Sequence, residues 1–173
     1  MDNNGIEAVG TRLLFDAAPD TVWRKMLTYE EVPGRPPFLL RTLLPVPLRT
    51  EGDKTRLGAE IHCFYTGGDL VKIVSAVEPP CFFEFEVTRQ NIGIERRVRA
   101  LRGSYRIRPC GQGTEVILTT AYSSRLGPRF FWRPIEEFMV HLMHRYILEG
   151  MRTTAPRPLP EPICATSPSP SRL

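Results

Sequence analysis

The sequence predicts an α+β domain in which a curved antiparallel sheet of about seven strands wraps around one long C-terminal helix. Three observations lead there. Short β-tolerant segments recur through the middle of the chain, separated by glycine- and proline-containing turns. Helical periodicity is confined to a short stretch after the first strand and a longer one near the C-terminus. The connections between central strands are too short for parallel crossovers, so neighbours must run antiparallel.

The first strand is Ile6 to Phe15, with Val9, Thr11, Leu13 and Phe15 on one alternating face. Pro19 and Asp20 then open a short helix, because Val22, Trp23, Met26 and Leu27 recur at helical steps and Pro19 suits a first turn. Val32-Pro33-Gly34-Arg35-Pro36-Pro37 reads as a rim loop, since its three prolines remove donors and fix φ. Six further strands are expected at Arg41 to Thr50, Ala59 to Thr66, Asp69 to Val77, Phe82 to Thr88, Ala100 to Arg108 and Thr114 to Ser123. Glu51-Gly52-Asp53, Gly67-Gly68, Pro79-Pro80 and Gly111-Gln112-Gly113 supply hairpin chemistry between them. The longer, polar Gln90 to Arg97 segment is expected to be a mobile connection.

The last element is a helix from Pro134 to Arg152. Ile135, Phe138, Met139, Leu142 and Tyr146 recur at three- and four-residue steps and form its expected buried stripe. Glu136, Glu137, His141, His144 and Arg145 fall mostly outside that stripe. Such a helix is about 28 Å long, enough to cross strands of roughly 23 Å, so it is expected to pack across the whole sheet. The domain is thus expected to span residues 1–154. Residues 155–173, with prolines at 156, 158, 160, 162, 168 and 170 among small polar residues, read as a disordered Pro-rich tail.

Composition excludes several classes. The 173 residues are 42% hydrophobic and 24% charged, with a formal net charge of +4, ordinary values for a single globular domain. Cys63, Cys81, Cys110 and Cys164 form no C-x-x-C pair and no zinc-finger spacing, which suits a reducing compartment. The start, Asp2-Asn3-Asn4, lacks a basic segment followed by an apolar one, and no apolar run approaches the roughly 20 residues of a membrane span. A cytoplasmic protein without signal peptide or transmembrane segment is the expectation.

Three stretches carry a resemblance to a known family. They are Phe15-Asp16-Ala17-Ala18-Pro19-Asp20-Thr21-Val22-Trp23, Glu78-Pro79-Pro80-Cys81-Phe82-Phe83-Glu84-Phe85-Glu86-Val87, and the hairpin from Gly103-Ser104-Tyr105-Arg106 to Gly113-Thr114-Glu115-Val116. In their order and setting, residues 6 to 152 resemble the START-like or SRPBCC superfamily of polyketide cyclase/dehydrase-like and lipid-transfer-like proteins. The resemblance implies a helix-grip fold with a cavity between sheet and C-terminal helix, commonly used for hydrophobic small molecules. It brings no catalytic motif, and fold alone does not fix activity.

Alternation selects the residues of the cavity wall. Phe83, Phe85 and Val87 share one face of their strand, opposite Glu84 and Glu86. Leu101, Gly103, Tyr105 and Ile107 oppose Arg102, Ser104, Arg106 and Arg108, and Val116, Leu118, Thr120 and Tyr122 oppose Glu115, Ile117, Thr119 and Ala121. Ile61, Cys63 and Tyr65 point inward from the earlier strand, and Phe138 and Leu142 face them from the helix. Most such residues are simply core. The hydroxyls of Tyr65, Tyr105, Thr120 and Tyr122 are more telling, because buried hydroxyls need partners that a ligand or water supplies.

Sharper chemistry finds less support. His141 and His144 are three apart on the polar side of the helix, without the further ligands that a metal needs, so a solvated or capping role is expected. His62 and Cys63 alternate to opposite faces, and no base is evident beside Cys63. No G-x-S-x-G, P-loop or dinucleotide fingerprint is present, and no cofactor is expected. The leading reading is therefore binding of a small hydrophobic, lipid-like or polyketide-like molecule. The alternative is a cyclase/dehydratase-type enzyme in the same cavity, with Tyr105 or Tyr122 as proton donor. Arg96, Arg97, Arg99, Arg102, Arg106 and Arg108 give a basic outer face, read as a solvated surface balanced by Glu84, Glu86 and Glu115. Docking of an acidic partner there, or on the tail, is the third reading; nucleic acid is not expected, because no aromatics interleave with the arginines.

Overall fold

The computed structural model of the chain describes residues 5–29 and 36–154. Its elements are β1 (Ile6–Phe15), α1 (Pro19–Thr28), α2 (Phe38–Leu43), β2 (Pro47–Gly52), β3 (Glu60–Tyr65), β4 (Gly68–Glu78), β5 (Phe82–Asn91), β6 (Val98–Cys110), β7 (Gly113–Ser124) and α3 (Arg129–Thr153). The strands form one sheet in the order β1-β7-β6-β5-β4-β3-β2, with every neighbouring pair antiparallel. β2 to β7 follow one another in sequence, and β1 closes the row beside β7. The α+β class, the seven strands and the C-terminal helix agree with the sequence prediction.

Three expectations are corrected. The segment from Arg41 to Thr50 is not one strand: Phe38–Leu43 is a helical turn and a half, and β2 begins at Pro47. Phe38-Leu39-Leu40 has no alternation to hold a half-buried strand, and Leu40 alone of the three is fully buried. The stretch after Gln90 is tied rather than open. β5 runs on to Asn91, Glu95 accepts the Ile92 N–H at 3.3 Å, and the Arg97 and Val98 N–H groups both reach the Ile94 carbonyl at 2.9 Å.

The third correction concerns α3, which starts at Arg129 and carries Pro134 inside its second turn. That proline lacks the N–H that would bond the Phe130 carbonyl. The helix packs on β1 and β7 and also touches α1 and α2, so its nearest approach to the sheet is at the β1–β7 side. Its buried face is Glu136, Met139, His144, Leu148 and Met151, whereas Phe138 is 56% and Ile135 39% exposed. Of the predicted stripe only Met139 is fully buried, with Leu142 and Tyr146 half-buried. The wheel failed because Glu136 and His144 were counted as solvent-facing, and both are buried because they are paired.

The core lies where α1 and the end of α3 meet the sheet. Val22, Trp23 and Met26 of α1 pack with Phe15, Ile107, Val116, Leu148 and Met151. Two polar ties fix this corner: Thr114 Oγ1 donates to the Ala17 carbonyl at 2.6 Å, and Lys25 Nζ donates to the Arg152 carbonyl at 2.8 Å. Leu148 is fully buried at the centre. Leu148→Ala should therefore lower the unfolding free energy by about 2–5 kcal/mol in urea titrations, the cost of lost transfer energy and a residual cavity. No helix among the described residues is long and apolar enough to cross a membrane. The expected tail, 155–173, and most of the proline loop lie outside the described residues.

Candidate ligand site

Because α3 covers β1 and β7, the concave face of β3 to β6 is left to face the interior beside it. Cross-strand register shows which side chains share that face, since directly opposed residues point the same way. One row runs Val74, Phe85, Gly103, Thr120 and Val9, and a second runs Phe83, Tyr105, Leu118 and Thr11. Ile61, Lys72 and Val87 make a third row, with Cys63 opposite Leu70 beside it. Ile61, Cys63, Phe83, Phe85 and Leu118 are buried, while Tyr65, Val87, Tyr105 and Thr120 are half-buried.

The wall is aromatic. Phe83 stacks at a tilt with Phe85 and with Tyr105, ring centroids 6.1 and 6.3 Å apart. Gly103 makes room for Phe85: a Cβ there would meet the ring at 2.4 Å. Gly103→Ala should push Phe85 out of its place, costing about 1–3 kcal/mol of stability and reshaping this wall, as urea unfolding and the aromatic near-UV spectrum would report.

Four tyrosines, Tyr29, Tyr65, Tyr105 and Tyr146, lie near one another beside this wall. Tyr29, at the end of α1, lies close enough to Tyr105 and Tyr146 that each adds to the burial which raises its pKa well above the ordinary phenol value. Among the described residues its hydroxyl is buried without a hydrogen-bond partner. Lys54 fixes the end of α1 from the other side, donating to the Tyr29 carbonyl at 2.5 Å and to that of Met26 at 3.4 Å. Tyr105 is pushed up to about 12 by burial, against the opposing pull of Lys72. Burial, with Cys63 beside it, raises Tyr65 as well. Tyr65 and Tyr105 are half-buried.

Not every predicted wall residue joins this group. Tyr122 lies under α3, about 13 Å along β7 from Leu118, and its hydroxyl donates to Glu7 at 3.3 Å. Thr120 is likewise engaged by the helix, 2.8 Å from His144 Nε2. Leu101 sits at the β6 irregularity between Ala100 and Arg102, where alternation is interrupted. Phe138 is exposed, and Leu142 is half-buried on the same flank of α3 as Tyr146. Sequence reading missed Tyr29 and Lys72, neither of which stands out in its own segment.

Two polar clusters hold α3 to the sheet instead of serving the wall. His144 is 2% exposed, with Thr11 Oγ1 2.9 Å from its Nδ1. That same Thr11 oxygen is 2.7 Å from His141 Nδ1. Burial, helped by His141 nearby, lowers the His144 pKa to about 3, so the ring is neutral and uses one nitrogen to donate and the other to accept. This corrects the solvated role expected for His144. Glu136, 7% exposed, accepts from Ser124 Oγ at 2.6 Å and from Arg129 at 2.9 Å, and Arg129 also pairs with Glu7. Burial alone would raise the Glu136 pKa, but the bonds from Arg129 and Ser124 outweigh it and hold it low.

Other candidates fall away or stay peripheral. Among the described residues no three or more His, Cys, Asp and Glu side chains gather to hold a metal. Cys63 is buried and accepts from Thr50 Oγ1 at 3.6 Å, whereas Cys81 and Cys110 are exposed. Two depressions, of about 430 and 300 Å³, open beside Phe15 and Lys25 and beside Phe82 and Arg106, and of the predicted wall residues only Ile107 borders either of them. On the outer face Arg102 and Arg108 lie opposite Glu86 and Glu115, while Arg106 covers the Phe82 ring at 5.5 Å.

A curled antiparallel sheet with a long C-terminal helix packed against it defines the class: this is a helix-grip fold. Solved structures share it at low identity. Protein MLL2253 from Mesorhizobium loti matches with a TM-score of 0.56 and 16% identity, over 84% of this chain and 94% of that one. Ara h 8.0201 matches with a TM-score of 0.53 and 9% identity, over 86% of this chain and 96% of its own. The Aha1 dimer from Colwellia psychrerythraea gives 0.50 and 12%, over 86% and 99%. At such identities the likeness is one of fold. No family model and no curated protein matches the sequence.

Proposed function

We propose that the chain binds a small, largely apolar molecule between the concave face of β3–β6 and the flank of α3 that carries Leu142 and Tyr146. The observation that carries this reading is the buried Tyr29 hydroxyl, without a partner among the described residues and close to Tyr105 and Tyr146. An unsatisfied buried hydroxyl costs about 1–3 kcal/mol, and a ligand oxygen would remove that cost. Phe83, Phe85, Val87, Cys63, Ile61 and Tyr65 would supply the apolar contact, in keeping with pockets that are mostly apolar with a few convergent polar groups.

Binding is favoured over catalysis by the direction of the phenol shifts. Burial keeps Tyr105 and Tyr122 protonated and makes them weaker acids, which suits hydrogen-bond donation better than proton transfer. Native mass spectrometry of the full chain purified from its expression host tests the reading. A co-purifying apolar molecule that is lost from Phe85→Ala protein supports it. Ligand-free protein that also takes up no added 1-dodecanol overturns it.

A further inference from the structure

Among the described residues, Lys72 is the cation in the wall rows given above. It lies in the row of Ile61 and Val87, and directly opposed strands place it on the same inward face as those two apolar residues. Its Nζ stands 4.2 Å from the centroid of the Phe85 ring. Among the described residues no carboxylate pairs with it and no acceptor bonds it. The other lysine and arginine side chains of the interior-facing elements behave differently. Lys25 and Lys54 are spent on helix-end carbonyls, and Arg129 on Glu7 and Glu136.

A half-buried ammonium over an aromatic ring gains cation–π attraction, but its three donors still ask for acceptors. Phe85 lies against it, Ile61 and Val87 are opposite it on the neighbouring strands, and the Tyr105 phenol is near enough to feel its charge, with Cys63 and Tyr65 beside that phenol in turn. Both phenols are donors held protonated by burial. Ammonium and phenol donors together, with no anion of the protein among them, are complementary to an anionic acceptor, and the apolar rows beside them to a hydrocarbon body.

We propose that the ligand is an amphiphile with a single anionic head, of the carboxylate class, whose head pairs with Lys72 and accepts from the neighbouring tyrosine hydroxyls while its apolar part lies on Phe83 and Phe85. This rests on the apolar-binding reading and narrows it. The anion would have its charge met where no solvent-side arginine reaches. Neutral molecules of the same shape would leave the ammonium unpaired, and cationic ones would be repelled by it.

Isothermal titration of the full chain with dodecanoate, 1-dodecanol and dodecyltrimethylammonium, each below its micellar concentration, tests the proposal. Charge-assisted hydrogen bonds contribute about 1.5–3 kcal/mol, so dodecanoate should bind roughly tenfold or more tightly than 1-dodecanol, and the cation should bind most weakly. Lys72→Met should erase the preference for dodecanoate over 1-dodecanol, and Lys72→Arg should keep it. Equal binding of dodecanoate and 1-dodecanol by the unaltered chain, or a preference that survives in Lys72→Met, overturns the proposal while leaving apolar binding intact. If none of the three probes binds, the apolar-binding reading itself fails and takes this one with it.

Discussion

Acidification from pH 6.5 towards pH 3 should unfold the protein progressively, and His144 should supply the first part of the loss. Its folded pKa is about 3 against an ordinary 6.5, because burial under α3 disfavours the imidazolium and His141 stands beside it. Between those values the unfolded chain takes up a proton that the folded chain refuses. Stability is therefore complete above about 6.5 and falls as the pH drops, by at most about 1.4 kcal/mol per unit. Glu136, also lowered on folding, adds to the loss only further down, as the pH falls below its ordinary carboxylate value of 4.5. Urea unfolding at pH 7.5, 6, 5 and 4 separates the two. In His144→Met protein the slope between pH 6 and 5 should vanish, although stability at pH 7.5 falls by about 1–3 kcal/mol as Thr120 loses its bond to the ring and Thr11 keeps only His141. A slope unchanged in that variant would remove His144 from the account.

Arg129→Ala should be among the most damaging single changes in the chain. It leaves the buried Glu136 carboxylate with only hydroxyl donors, Ser124 and Tyr122, and takes from Glu7 its nearest cation, leaving Tyr122 and the more distant Arg133. Breaking a fully buried pair costs about 3–5 kcal/mol. The Arg129 side chain is 35% exposed, so solvent screening reduces the expected loss to roughly 2–3 kcal/mol. Removing the stranded charge should recover much of it: Arg129→Ala with Glu136→Gln should be more stable than Arg129→Ala alone. Additive losses in that double-mutant cycle would mean that the two residues do not act as a pair.

These two clusters also mark where sequence reading stopped. β1 was legible to the residue, because Val9, Thr11, Leu13 and Phe15 alternate cleanly and Asp16 ends the run. The hairpins from β3 to β7 were legible for the same reason, aided by their turn residues. The face of α3 was not. Its sequence offers an apolar stripe through Phe138 and Leu142, and periodicity does not reveal that Glu136 is held by Arg129 and Ser124, 7 and 12 positions back, or His144 by Thr11, 133 positions away. Polar pairing, not periodicity, decides which side of this helix is buried.

The site was partly legible in the same way. Phe83, Phe85 and Tyr105 follow from alternation, but Lys72 does not: Leu70-Val71-Lys72-Ile73-Val74 is apolar on both faces, and only its register against Ile61 turns the lysine inward. Tyr29 ends a helix before a loop, where no periodicity predicts direction. Tyr122 satisfied the alternation rule, yet the helix above claims its hydroxyl through Glu7.

The five tyrosines of the chain offer the most direct test of a ligand site in front of β3–β6. Ring-¹³C-tyrosine protein titrated with 1-dodecanol should show shifts of Tyr29, Tyr65, Tyr105 and Tyr146 that saturate together, with Tyr122 unmoved beneath α3. No movement in any of the four, or movement of Tyr122 alone, would contradict the site.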